Sequence, residues 1–210
     1  MKNVKIGLAS LILVLGTVTS CIEHEVIPAP VDEVDLECFF EGYINGIPLK
    51  LTQNVDGIFG MANKAQNILP APDFSSERYF FKIMTYQNSR AVQVGHGSVF
   101  WDGAVDISPS LTQFNNFNKN TLTPNFSDNA LLGFEVRYTD ANGIEWYTRE
   151  TSTNFQDVEF SEVVQESDPT GDYSKFNCVF DCYVYHQDAV TLAWDSIRIQ
   201  STEMRGWFQR

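Results

Sequence analysis

The chain has 210 residues and a formal net charge of −13, which argues against nucleic acid and anionic lipid headgroups as partners. With 43% hydrophobic residues it can bury a sizeable core in a single domain. It contains no Gly-x-Ser-x-Gly elbow, His-Glu-x-x-His helix, phosphate loop or dinucleotide fingerprint, so no enzyme class announces itself.

Lys2 and Lys5 precede the apolar run Ile6 to Val18, which fits a secretory signal and is too short for the ~20 residues of a spanning helix. The run ends in Val18-Thr19-Ser20-Cys21, which resembles the bacterial lipobox. That resemblance implies a signal peptide over residues 1–20 and a diacylglyceryl group on Cys21, and the anchor would be held by ~0.8 kcal/mol per buried methylene. Loss of Lys2 and Lys5 on cleavage would take the charge from −13 to −15. Residues 21–35 read as a tether, because two prolines, five acids and no aromatic residue cannot build a core. Its start, Ile22-Glu23-His24-Glu25, resembles the surface-export signal of Bacteroidota lipoproteins, and a plain solvated tether is the other reading.

Residues 36–210 read as one all-β domain of nine or ten antiparallel strands. Leu36 to Ile44 alternates, Asn45-Gly46 is a hairpin turn, and Ile47 to Thr52 returns with Pro48 marking an edge or a strand start. Residues 53–78 read as loop with one short strand or turn. Tyr79 to Tyr86 and Ala91 to Trp101 are strands, with Gly95-His96-Gly97 a kink or bulge. A short helix is expected near residues 110–117, capped by Ser108 or Ser110, with Leu111, Phe114 and Phe117 at threefold spacing. Leu131 to Tyr138 pairs with Ile144 to Arg149 through Asp140-Ala141-Asn142-Gly143. Val158 to Val164 is a strand, Asp168 to Asp172 a turn, and Phe176 to Tyr185 the most strictly alternating strand. Val190, Leu192 and Trp194 share one parity and Ile197 and Ile199 the other, so a bulge is expected near Asp195-Ser196. Met204 to Phe208 is the closing strand. The pattern predicts a β-sandwich, Ig-like or jelly-roll-like, with a partly closed barrel second.

Candidate sites follow from residue type. Cys178 and Cys182 share a strand face ~13 Å apart and cannot pair with each other. Cys38 either bridges to Cys178 or Cys182, or all three are buried free thiols. Among the carboxylates between Glu150 and Asp172, Asp168 and Asp172 are the first candidates for calcium, the one cofactor considered, against a solvated acidic face. Trp101 and Trp146, near strand ends, are the first candidates for a sugar-stacking surface, against burial in the core. Asp195-Ser196-Ile197 resembles the three-residue O-glycosylation motif of Bacteroidota, with Ser196 as acceptor. His24, His96 and His186 carry no accompanying nucleophile, so no catalytic residue is assigned.

The lipobox, the acidic tether, the early Cys38-Phe39-Phe40-Glu41-Gly42-Tyr43-Ile44-Asn45-Gly46 strand and the closing Arg205-Gly206-Trp207-Phe208-Gln209 strand together resemble the small surface lipoproteins of Bacteroidota. The resemblance implies an outer-membrane β-sandwich lipoprotein facing the cell exterior. The expected function is a non-enzymatic binding or accessory module for glycans. The competing class is a structural or interaction subunit of an envelope transporter or secretion complex.

Overall fold

A computed structural model describes residues 33–87 and 89–210. The signal peptide, Cys21 and the tether up to residue 32 lie outside the described residues. Glu33–Arg210 forms one compact unit. It is all-β and antiparallel, with strands β1 (Phe39–Ile44), β2 (Ile47–Thr52), β3 (Ile58–Asn67), β4 (Ser75–Thr85) and β5 (Ala91–Trp101). Helix α1 (Leu111–Asn120) follows, then β6 (Phe134–Thr139), β7 (Glu145–Tyr147), β8 (Asp157–Asp168), β9 (Gly171–Gln187) and β10 (Trp194–Gln209).

The ten strands form one continuous sheet in the order β2-β1-β10-β9-β7-β6-β5-β4-β3, with β8 on the same edge of β9 as β7. The two ends of that path, β2 and β3, are consecutive in the chain and touch, so the sheet curls back on itself. Its inner face therefore packs against itself in two layers. Phe81 of β4 lies 4.8 Å from Trp207 of β10 and 6.0 Å from Phe176 of β9, ring to ring. Phe160, Phe176, Phe208 and Phe134 continue the aromatic core. Each such ring, fully buried, contributes ~1.5–3 kcal/mol.

Because β7 is short, β6 and β8 diverge, and α1 with the chain after it fills the gap. Ser110 and Gln113 form a capping box at the start of α1. Phe114 then enters the core with its ring 4.8 Å from Tyr79. The helix runs three residues past the expected end, to Asn120. Beyond it, Phe160 N–H donates to the Leu122 carbonyl at 2.7 Å.

Two expectations need correction, and a third case separates two alternatives. Residues 58–67 are a ten-residue strand, longer than the one short strand or turn expected within 53–78. β3 is an edge strand whose inward Gly60 and Ala62 leave room for larger neighbours. A Cβ on Gly60 would sit 2.8 Å from Trp207 and closer still to Cys38 Sγ. Such small residues give no apolar alternation to read. The parity switch after His186 has a different cause from the expected bulge at Asp195-Ser196. Residues 188–193 are a turn held by Asp188, whose Oδ1 accepts from the backbone of Val190 and Thr191. The irregularity lies between Ser201 and Met204, and it moves the inward set from Ile197 and Ile199 to Met204, Gly206 and Phe208.

The third concerns sulfur. Cys38, Cys178 and Cys182 are all buried and free. Strand β10 lies between β1 and β9, with Met204 facing Phe40 on one side and Cys178 on the other. Two strand spacings are about 10 Å, beyond the ~7 Å Cα limit for a bridge. The free-thiol alternative holds.

Candidate functional site: a polar cleft on the outer face

The interior is packed with aromatic rings, so the most built polar surface lies outside, where β4 to β7 turn their other face to solvent. Register brings the site together. Arg137 on β6 faces Gln93 on β5 and Tyr147 on β7, and Tyr147 in turn faces Tyr185 on β9. Two clefts meet at Arg137. One, of about 340 Å³, is lined by Asp128, Asn129, Glu135, Arg137, Glu145 and Tyr147. The other, of about 280 Å³, runs toward Arg78, Phe80 and Gln93.

The strap 127–133 borders both clefts. It can lie flat on β5 because Gly95 and Gly97 carry no side chain. A Cβ on Gly95 would come within 2.9 Å of Ala130, and one on Gly97 would overlap the Ala130 carbonyl. The Gly-x-Gly is thus a bulged segment with a purpose: Arg78 faces Gly97, Glu77 faces Val99, and Ser98 is the extra residue. Ser98 Oγ donates to the Leu131 carbonyl at 2.6 Å and so pins the strap.

Under the strap, Glu135 is buried at 1% exposure. Arg137 Nη2 reaches its Oε1 at 3.1 Å, and Arg137 Nη1 lies 3.7 Å from Glu145. Burial pushes the Glu135 carboxyl above its ordinary range, and Arg137 and the Asn129 backbone N–H offset part of that rise. Glu135 Oε2 and Arg137 Nε are buried without a partner of hydrogen-bond geometry. The arrangement is one guanidinium held between two carboxylates, beside an aromatic ring. It can exchange hydrogen bonds with a ligand carrying both hydroxyl or amide donors and acceptors, and Tyr147 can pack on an apolar ring face.

The sequence-expected residues are placed elsewhere. Trp101 is buried at 3% exposure, with Nε1 donating to the Asp106 carbonyl at 2.9 Å. It presents no face to a ligand, because the loop after β5 folds over it. Trp146 is half-buried against the core, 5.4 Å from the His186 ring. The exposed tryptophan is Trp194, with the Arg149 guanidinium 4.1 Å over its ring and Tyr147 edge-on at 6.3 Å. The aromatic band therefore continues from the cleft, carried by a residue the alternation did not single out.

Asp168 and Asp172 bracket the β8–β9 turn. Asp168 Oδ1 accepts from Thr170 and Gly171 and its Oδ2 from Val34 N–H, while Asp172 pairs with Arg210 and Ser167. Among the described residues no three His, Cys, Asp or Glu side chains gather as a metal site. Ser196 is half-buried on β10, opposite Tyr185.

Sequence reasoning missed a second polar group, on the inner face: Glu77, Tyr79 and His96. Tyr79 and His96 are cross-strand partners, and all three are buried. Glu77 is covered by Gln66 and by Lys64 at 3.4 Å. His96 stacks on Phe160 at 5.0 Å and lies tilted against Phe117 at 4.4 Å. Burial lowers its pKa to about 3, offset in part by Asn118. The two clefts that meet at Arg137 are lined by none of the three. They make up a structural polar row.

No family model, curated protein or solved structure matches the chain.

Proposed function

We propose that the chain is a lipid-anchored lipoprotein of the outer membrane, facing the cell exterior, and that it acts there as a non-enzymatic binding module for glycans. The observation that carries the binding reading is the outer-face cleft. A guanidinium flanked by two carboxylates exchanges hydrogen bonds with vicinal hydroxyls, and Tyr147 offers a ring for the apolar face of a pyranose. The lipobox-like Val18 to Cys21 and the acidic tether support the anchor and its location. The test is a glycan array probed with the wild-type protein and with Arg137→Ala and Tyr147→Ala. Retention of a defined glycan class by wild type, and its loss in both variants, supports the reading. Binding unchanged in both variants sinks it.

A second reading, an interaction subunit of an envelope complex, is favoured by one observation. Loops 68–74 and 102–107 lie together, with Gly103 against Ser75 and Leu69, and they expose Ile68, Phe74, Val105 and Ile107 beside Phe100. An apolar end of this kind is what a protein partner covers. A mild-detergent pull-down from intact envelopes decides this: a stoichiometric transporter or secretion component supports the subunit, and recovery of the protein alone counts against it.

A further inference from the structure

The strap residue nearest the centre of the cleft already behaves as a ligand. Asn129 Oδ1 accepts from Arg137 Nη2 at 2.8 Å, and its backbone carbonyl accepts from Arg78 Nη1 at 2.8 Å. Its backbone N–H is turned toward the Glu135 carboxylate. One residue thus engages one donor nitrogen of each cleft arginine and approaches the buried acid. It does so at a conformational cost, since Asn129 and Ala130 hold φ of 57° and 52° in succession. Asn tolerates the left-handed region through its short polar side chain, whereas Ala has no such relief. Ala130 is buried and the strap ends are tied down, by Ser127 to Phe134 and by Ser98 to Leu131. The part free to move is the Asn129 side chain, whose single hydrogen bond among the described residues is the one to Arg137.

That side chain is a carboxamide on a methylene, chemically an acetamide. We propose that the Asn129 carboxamide fills a subsite for the acetamido group of an N-acetylhexosamine, and that such a sugar displaces it. The acetamido oxygen then accepts from Arg137 Nη2 in place of Asn129 Oδ1. The pyranose ring packs on Tyr147, which faces Arg137 across the β6–β7 pair. Sugar hydroxyls donate to Glu145, the exposed carboxylate of the cleft. Buried Glu135 keeps the guanidinium in place. This rests on the glycan-binding reading and adds the sugar class, together with a self-occupied resting state. Removing the surrogate should tighten binding, and strengthening it should weaken binding.

The test uses two substitutions with opposite expected signs, Asn129→Gly and Asn129→Asp. Glycine accepts φ of 57° without a Cβ and removes the carboxamide. Aspartate keeps the conformation and makes the contact with Arg137 charge-assisted. Calorimetric titration with N,N′-diacetylchitobiose should show binding about tenfold tighter for Asn129→Gly and about tenfold weaker for Asn129→Asp, the factor that one hydrogen bond gained or lost supplies. Cellobiose, with the same linkage and no acetamido group, should bind at least about tenfold more weakly to wild type. Equal affinity for cellobiose and diacetylchitobiose would overturn the acetamido subsite and leave the glycan reading standing. Equal affinity for an N-acetylated amino-acid amide would overturn the sugar class, since a peptide would then be the better ligand. Absence of saccharide binding to all three proteins would overturn both readings.

Discussion

Replacing His96 by Leu removes one imidazole from a buried, mostly aromatic pocket and should change how stability depends on pH. The His96 ring is 1% exposed, lies among Phe117, Phe160 and Phe208 with the polar Asn118 side chain beside it, and has no partner of hydrogen-bond geometry at either nitrogen. Desolvation takes its pKa from 6.5 to about 3 in the folded state. The folded pKa is below the unfolded one, so the contribution to stability is complete above pH 6.5 and is lost as the pH falls toward 3. At pH 5 the unfolded chain has bound a proton that the native state refuses across about 1.5 pH units, and at 1.36 kcal/mol per unit the loss is about 2 kcal/mol. Urea unfolding of wild type and His96→Leu at pH 7.5 and pH 5.0 isolates this, because the carboxylates contribute alike to both proteins. Wild type should lose about 2 kcal/mol more than the variant between the two pH values, whatever the absolute cost of the substitution. An equal loss in both would show that the imidazole is hydrated or protonated in the native protein, and the packing argument would fail.

Three further outcomes are expected. Gly60→Ala puts a methyl group against Cys38 Sγ and Trp207 and should destabilise the fold by ~1–3 kcal/mol, read from the urea midpoint at unchanged slope. Ser110→Ala removes one half of the capping box on α1 and should cost ~1 kcal/mol in the same assay, while Ser108→Ala should cost little. Burial pushes the Cys38 thiol up to about 12 and the Cys178 and Cys182 thiols upward as well, so none should react with iodoacetamide at pH 8 until urea is added. Peptide mass mapping should then find all three alkylated. A mass consistent with a Cys38–Cys178 or Cys38–Cys182 bridge would contradict the strand order.

Much of the sheet was legible because most inward sets alternate with polar residues. Phe176, Cys178, Phe180, Cys182 and Val184 are all buried on β9 as the alternation predicts, and Asn45-Gly46 makes its hairpin with both residues at positive φ. What failed were places where alternation is erased by small residues or shifted by an irregularity. Gly60 and Ala62 hide β3, and the step between Ser201 and Met204 reverses parity inside one strand. The cleft could not be read from sequence, because Glu135, Arg137, Glu145 and Tyr147 look like ordinary outward residues until the β5–β6–β7 register sets them side by side. Its strap looked like one more Asn-rich loop. The signal was local and faint: glycines at 95 and 97 on one strand, each needed for the close approach of Ala130. Trp101 misled because a residue near a strand end is covered or exposed according to the loop that follows, and here that loop turns back over the indole.

Glycan binding at the outer-face cleft is tested by titrating the isotopically labelled protein with a panel of neutral and N-acetylated oligosaccharides and following its amide resonances. Shifts are expected to concentrate at Asn129, Glu135, Arg137, Glu145 and Tyr147, which line the outer-face cleft. Shifts confined to the apolar end around Phe74, Phe100 and Ile107, or no shift with any saccharide, would contradict glycan binding there.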